Sequence, residues 1–234
     1  MGYAGLQFAT HVPVRVDFSG YVVRYADSAA FDQDSLRVDT VLSWTLGDSW
    51  RLEAGPHVGS STLDGDGFEQ TLGAELRATR SLGRQLAFDL QFLYDDITSP
   101  STRFEFVEGS RERLRVGIER RVTGRRLRVA YELDSQDRAD PNVSPDRDRL
   151  MLIWGSRLGG RWSTDGALAH RTSRYDASTV PRKERLNELA LGVRRELGAS
   201  WLLNLDYRWT DNNSNVSVYS YTSRRIAIGV SRTF

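Results

Sequence analysis

Residues that could carry catalysis or bind a metal are sparse in this chain. The sequence has three histidines, His11, His57 and His170, and no cysteine. The lack of cysteine excludes disulfides, thiolate zinc sites and cysteine nucleophiles, and three histidines give little basis for a multi-histidine metal site. A serine hydrolase needs a serine, a histidine and an orienting polar group within reach of one another, and neither His57 nor His170 has a serine motif beside it. We therefore predict no enzymatic activity, no cofactor and no metal.

Two acidic segments resemble ion sites only in part. Residues 63–67 (LDGDG) match part of a calcium-binding loop, but the downstream glutamate that completes such a loop is missing. Residues 135–148 carry several aspartates together with Arg138 and Arg147. We interpret the first segment as a hydrated turn and the second as a solvated outer loop.

Arginine and carboxylate side chains are the abundant chemical groups, and they alternate with apolar residues. The 32 basic and 31 acidic residues leave a formal charge of +1, so no global basic field would recruit nucleic acid. Leu36, Val38 and Leu42 share one parity, whereas Arg37 and Asp39 occupy the other. This period of two predicts a β-strand. The pattern recurs in residues 72–78, 86–94, 114–119, 127–133 and 201–209. No stretch approaches the roughly 18 to 20 consecutive apolar residues of a membrane helix, which excludes only a helical membrane protein.

Turn signals organise these strands into hairpins. Short hairpin turns need glycine because their backbone takes positive φ angles. Tight turns are predicted at Gly47, Gly83, Gly124, Gly160 and Gly198. Longer polar connections alternate with them, at residues 27–34, 61–67, 97–110, 135–145, 173–183 and 211–217. This alternation predicts about 12 antiparallel strands. A repeat of about 40 residues is also typical of propeller blades, but only two strands fill each unit here.

The direction in which the two faces point separates a soluble sandwich from a membrane barrel. The predicted strands, of roughly 10 to 14 residues, exceed the usual 5 to 6 of soluble proteins. Aromatic residues also gather at both strand ends, as at two water–lipid interfaces. We therefore predict an all-β fold: a closed antiparallel transmembrane β-barrel with short periplasmic turns, longer extracellular loops and its apolar face in lipid. The aromatic residues are Trp50, Trp162 and Trp201 after tight turns, and Tyr25, Tyr94, Trp209, Tyr219 and Tyr221 toward the longer connections.

The end of the chain resembles known outer-membrane proteins. Phe234 is in phase with Ile226, Ile228 and Val230, and this closing segment resembles the assembly signal of Gram-negative outer-membrane β-barrels. Residues 206–225 are similar to the penultimate loop and final strand of β-barrel porins linked to exopolysaccharide export. The resemblance implies a location in the bacterial outer membrane, contact with its lipid and lipopolysaccharide, and insertion by the barrel-assembly machinery. Some twelve-stranded outer-membrane barrels are phospholipases or lipid A deacylases, but the His-Asp-Ser signature of the phospholipases is absent.

The domain organisation is simple. Residues 12–234 are predicted to form the barrel, with a first strand from Val12 to Tyr25. Residues 1–11 either extend this strand or lie outside the barrel as a periplasmic lead, since Pro13 interrupts the hydrogen-bonding ladder.

The charged face of the strands is predicted to line the lumen. Interleaved arginines and acids are consistent with a salt-bridged filling or with a pore that attracts anions. Inward glycines either give room to neighbouring arginines or open a path for solute; they are Gly73, Gly117, Gly155, Gly192 and Gly229. The predicted lining comprises Arg37, Arg51, Glu53, Glu75, Arg77, Arg113, Arg115, Glu119, Arg128, Glu132, Arg194, Asp206, Arg208 and Arg225.

The leading functional prediction is a channel that passes a solute or polymer, with an anionic saccharide as the expected cargo. The alternative is a closed structural or anchoring barrel, or an engineered model barrel, without transport activity. A tube of about twelve strands lies between one filled by its own side chains and one that encloses an aqueous channel, so the sequence leaves both open.

Overall fold

The computed structural model describes residues 2–8, 12–25, 28–198 and 201–232. Within these residues, 13 β-strands account for nearly all regular structure. The strands are β1 Gly2–Phe8, β2 Val14–Val23, β3 Gln33–Leu46, β4 Trp50–Leu63, β5 Asp66–Leu82, β6 Leu86–Thr98, β7 Gly109–Val122, β8 Arg125–Arg138, β9 Asp146–Gly159, β10 Trp162–Tyr175, β11 Arg182–Glu196, β12 Trp201–Ser214 and β13 Tyr221–Arg232. In this part of the chain, no helix is long and apolar enough to span a membrane.

The strands form one continuous sheet in which each strand lies antiparallel to its neighbours in sequence. The predicted all-β, antiparallel architecture is therefore confirmed. In the described sheet β1 and β13 are the two edges and do not pair with each other, so closure into a barrel stays a prediction. The strand count differs from the predicted twelve because Gly2–Phe8 form a strand of their own, which places Gly5 opposite Asp17. This segment pairs beside β2 instead of prolonging it, and β2 itself is shorter than the predicted span from Val12 to Tyr25.

Glycine turns occur where the sequence predicts them. Gly47, Gly83, Gly124, Gly160 and Gly198 all have positive φ angles, from 57° to 132°, which costs glycine little because it has no Cβ.

One predicted long connection, residues 61–67, is instead a tight turn. Asp64 and Gly65 have φ angles of 57° and 79°, as in the type I′ turn of a two-residue hairpin. The neighbouring strands therefore extend to Leu63 and from Asp66, and β5 reaches 17 residues.

The connection between β6 and β7 folds back on this hairpin. Its 3-10 segment, Thr102–Val107, buries Phe104 edge-on against Phe68, with ring centroids 5.1 Å apart. Arg103 forms ion pairs with Asp64 and Asp66, at 3.3 and 3.2 Å. Hydrogen bonds to Asp66 and Asp64 raise the pKa of Arg103. The two aspartates thus bond to a cation of the chain itself, which agrees with the interpretation of residues 63–67 as a turn.

Burial is inverted relative to a soluble protein. Along β6, Asp89, Leu93 and Asp95 are buried, whereas Phe92 and Tyr94 between them are each 41% exposed. Similar alternation of exposed apolar residues with less exposed charged ones runs through β7 and β8. Water-soluble sheets bury their apolar parity, so the predicted direction of the two faces, apolar outward and charged inward, is confirmed.

One close backbone approach interrupts this regular pattern. Gly55 on β4 lies so near β3 that a Cβ there would overlap the backbone carbonyl of Thr40. Pro56 follows directly, and the β3–β4 register runs through Asp39 opposite His57 and Leu42 opposite Ala54, with a gap between these pairs.

Candidate functional site

The strand register places every predicted lining residue on the inner face of the sheet. Glu53 lies opposite Arg77, and Arg115 lies opposite Glu132. The inner-face set is Arg37, Arg51, Glu53, Glu75, Arg77, Arg113, Arg115, Glu119, Arg128, Glu132, Arg194, Asp206, Arg208 and Arg225. That these residues line a pore stays a prediction.

Neighbouring inward charges on β2, β3 and β4 form pairs within a strand. An arginine and the acid two residues later meet in the pairs Arg15–Asp17, Arg37–Asp39 and Arg51–Glu53, each at 2.7 Å. Residues two apart in a strand point to the same face, so the Arg-x-Asp/Glu pattern positions these pairs directly. This part of the inner face fits the salt-bridged filling.

Inward glycines give room to neighbouring ion pairs. Arg128 on β8 reaches Asp89 on β6 at 2.8 Å, passing Gly117, where a Cβ would lie 2.8 Å from an Asp89 carboxylate oxygen. Gly192 similarly leaves space for Asp165, which pairs with Arg194 on the same strand as that glycine. At these positions the structure favours the packing explanation for inward glycines.

A histidine–carboxylate contact links β4 to β6. His57 and Asp95 are 2% and 5% exposed, and His57 Nε2 lies 2.5 Å from Asp95 Oδ1. The contact crosses β5 at Gly73, where any Cβ would collide with both side chains and with the carbonyl of Tyr94. The inward direction of His57 was predictable from parity, but its partner was not, because the two residues are 38 positions apart.

The other described histidine is on the opposite face. His170 is exposed and bonds Asn187 at 2.8 Å, so the prediction that His57 and His170 project to opposite faces is confirmed. His11 lies outside the described residues. Among the residues that the structure describes, no group of three or more acidic or histidine side chains has the arrangement of a metal site.

Several inward charges near the longer connections were missed from the sequence. Asp134 on β8 accepts two hydrogen bonds from Arg111, at 2.7 and 3.0 Å, and lies 3.5 Å from Arg147. Arg149 on β9 pairs with Glu188 on β11 at 2.7 Å. The alternating patterns recognised in the sequence, residues 114–119 and 127–133, stop short of Arg111 and Asp134. Arg111 was nevertheless predictable, because it shares the parity of Arg113 in β7.

Three connections converge on one arginine at the inner face. Arg182, the first residue of β11, lies between the rings of Tyr175 and Tyr219, with its guanidinium carbon 3.7 and 3.9 Å from their centroids. It also donates to the carbonyl of Asn142 at 3.2 Å and pairs with Glu184 at 2.9 Å. Tyr219 therefore packs against Arg182 in this cluster, whereas the sequence pattern predicted it in an interfacial band of aromatic rings.

Arg182→Ala should loosen the connections that meet at this cluster. Cation–π contacts contribute about 0.5–1 kcal/mol each at exposed sites, and a charge-assisted hydrogen bond about 1.5–3 kcal/mol. We expect thermolysin to cut residues 176–181 and 215–220 at least about tenfold faster, since cleavage follows the population of locally open states. Lys183→Ala is the matched control, because its exposed side chain makes no such stack. Equal cleavage of both variants would show that Arg182 does not hold the connections.

Comparison with solved structures identifies the fold. The monoaromatic hydrocarbon channel CymD aligns with a TM-score of 0.56 at 11% identity, over 99% of this chain and 82% of that chain. OmpT, an outer membrane protein of Vibrio cholerae, aligns with a TM-score of 0.53 at 9% identity, over 98% of this chain and 95% of that chain. Both likenesses are of fold. Together with the inverted burial, they place this sheet in the bacterial outer membrane, as predicted.

Comparison of sequences gives the family. No curated protein matches the sequence significantly. The predicted assembly signal, Phe234, lies outside the described residues, and the predicted link to exopolysaccharide export stays a prediction. The family model described as "Surface lipoprotein assembly modifier" matches residues 21–234, nearly the whole chain. The chain therefore belongs to the surface lipoprotein assembly modifier family, SlipAM.

Proposed function

We propose that this chain closes into an outer-membrane barrel and provides a polar passage through the membrane, and that in its family this passage serves the assembly of surface lipoproteins. The single observation that carries the proposal is the inverted burial, because only a sheet with lipid outside and a polar interior has reason to bury Asp89 and Asp95 while exposing Phe92. The channel named among the solved structures of similar fold supports the same function.

In this proposal the inward charged side chains line a passage and take part in no catalysis. His57 is engaged with Asp95, and His170 is on the lipid-facing side. Outer-membrane lipid and lipopolysaccharide would contact the exposed apolar face, and the barrel-assembly machinery would insert the chain. We propose these partners because of the proposed location, and no separate binding site is proposed for them.

The cargo is proposed to be a hydrophilic polymer. The family description favours the polypeptide of a surface lipoprotein. An anionic saccharide is the cargo that the sequence resemblance favours, and the inward arginines suit either a carboxylate-bearing polypeptide or an acidic sugar. A closed structural barrel is the second candidate, because the pairs Arg15–Asp17, Arg37–Asp39 and Arg51–Glu53 fill part of the inner face.

Planar-bilayer recording separates these functions. The refolded chain, checked first by heat-modifiable gel migration, should give stable current steps with a permeability ratio for chloride over potassium above one, since the excess inward charge is arginine. An anionic oligosaccharide that shortens or blocks the steps would identify saccharide as cargo. A correctly folded barrel that stays silent would support the closed structural barrel and reject the channel.

The lipoprotein assignment needs a separate measurement in cells. A bacterial strain that carries a surface lipoprotein and lacks its own SlipAM protein should expose that lipoprotein to external protease when this protein is supplied. The Arg182→Ala variant serves as a comparison for disturbed connections. Unchanged protection of the lipoprotein would contradict the family role while leaving the channel proposal intact.

A further inference from the structure

Arginines concentrate on one part of the inner face, near the longer connections. Two of them are on β7, two are on β9 and one is on β10. We call this set the arginine patch; it comprises Arg113, Arg115, Arg147, Arg149 and Arg171.

The register brings the patch together. Arg113 and Arg147 both lie opposite Asp134 on β8, from either side. Arg115 and Arg149 flank Glu132 on the same strand in the same way. Directly opposite residues on neighbouring strands are about 4.5–5.5 Å apart at Cβ, so the guanidinium groups share one region of the interior.

Carboxylates of the chain neutralise this patch only in part, because Glu132, Asp134 and Glu188 are three acids among its five arginines. Asp134 accepts its two short hydrogen bonds from Arg111, outside the patch, and lies 3.5 Å from Arg147. Glu188 forms an ion pair with Arg149. Within the part of the chain that the structure describes, Arg113, Arg115 and Arg171 form no ion pair with an acid.

Two like charges also face each other inside the patch. Arg149 and Arg171 lie directly opposite on β9 and β10, both inward. Like charges in this position destabilise a sheet, and an acid at either position would have formed a pair instead. The repulsion falls when an anion lies between them.

A second observation points to a missing acceptor. The buried Nε atoms of Arg115, Arg147, Arg149 and Arg171 have no hydrogen-bond partner within the described structure. Buried donors are nearly always satisfied, and the planar guanidinium fork matches the oxygens of carboxylates and phosphates. Arg77, Arg128 and Arg182 outside the patch also have such an Nε atom, but in the patch four of them lie together where arginines outnumber acids.

We propose that the arginine patch binds a multiply charged anion through its carboxylate or phosphate oxygens. Arg147 is the second residue of β9, so the site lies near the end of the interior that bears the longer connections, and the anion enters from there. The inference rests on the proposed polar interior, because the anion must reach the inner face through water. It deepens that proposal by naming the chemistry that the passage recognises.

Calorimetric titration of the refolded full chain in zwitterionic detergent at low salt tests the site. The probes are inorganic pyrophosphate and tetraglutamate, which separate phosphate from carboxylate recognition. The double variant Arg115→Gln with Arg171→Gln should raise the Kd of the tighter-binding probe by about tenfold or more, which corresponds to about 1.4 kcal/mol. The control, Arg208→Gln with Arg225→Gln, removes two other inward arginines and should change the Kd less than about threefold.

Each outcome decides the inference. Loss of affinity in the patch variant alone supports it, whereas equal loss in both variants, or no binding of either probe by the unaltered chain, overturns it. If heat-modifiable migration shows that the double variant does not fold, Arg113→Gln replaces it with the same expectation. Binding without any bilayer current would reject the channel and keep the anion site; current without binding would do the reverse.

Discussion

Val116→Arg should destabilise the folded protein by about 2–4 kcal/mol in a bilayer, the cost of an arginine on the lipid face at the membrane midplane. Val116 lies in the middle of β7, outward-facing and 37% exposed, in register with Leu90 and Tyr131 on the flanking strands. An arginine at an equally exposed position in water would cost almost nothing, so the measurement reports the surroundings of this face. Urea unfolding in phosphatidylcholine vesicles, followed by tryptophan fluorescence, gives the free energy.

Val122→Arg is the matched control for this measurement. It is the last residue of β7, has the same outward parity and is 40% exposed. Because it adjoins the tight turn, where the strand leaves the hydrocarbon, we expect a cost of about 0–1 kcal/mol. Equally small costs at both positions would mean that the apolar face does not contact lipid.

Gly55→Ala should destabilise the protein by about 3 kcal/mol or more, or prevent refolding. A Cβ at this position would overlap the backbone carbonyl of Thr40 on β3. A flexible side chain could move aside, but a carbonyl within a strand can move only with its strand, and overpacking of this kind typically costs about 1–3 kcal/mol even where side chains yield. The fraction that shows heat-modifiable migration after refolding, and its urea midpoint, measure the effect.

Gly155→Ala provides the comparison. Gly155 is also an inward strand glycine, but a Cβ there would come no nearer than 3.9 Å to the carbonyl of Thr164. We expect wild-type refolding, with a midpoint unchanged or slightly raised because alanine restricts the unfolded chain. Similar losses in both variants would show that glycine is needed on the inner face in general and not at one close approach.

Face assignment was predictable from the sequence because a strand alternates its side chains strictly. Once Leu90 and Phe92 were assigned to one face, Asp89 had to occupy the other, and burial along β6 follows that rule. The glycine turns were predictable for a similar reason, since positive φ angles at Gly83 and Gly124 restrict the residue type.

Strand ends were harder to predict because their two faces differ less. Beyond the lipid, water reaches both sides of a hairpin, so residues 61–67 show no alternation even though β4 and β5 continue to the turn at Asp64. The same lack of contrast hid Arg111 and Asp134. Contacts that cross a whole strand, such as that of His57 with Asp95, depend on the strand register. The register could not be predicted from this sequence alone.

The short first strand changes which edge strands could pair if the sheet closes into a barrel. Thirteen strands that alternate in direction, counted over the described residues, leave β1 and β13 running the same way at the two edges. A join between them would be a parallel ladder, whose evenly spaced, slanted hydrogen bonds are slightly weaker per residue than those of the twelve antiparallel pairs. A join between β13 and β2 would instead be antiparallel and would displace β1 from its place beside β2. In either form of the proposed barrel, the N-terminal strand determines which two strands form the weakest join.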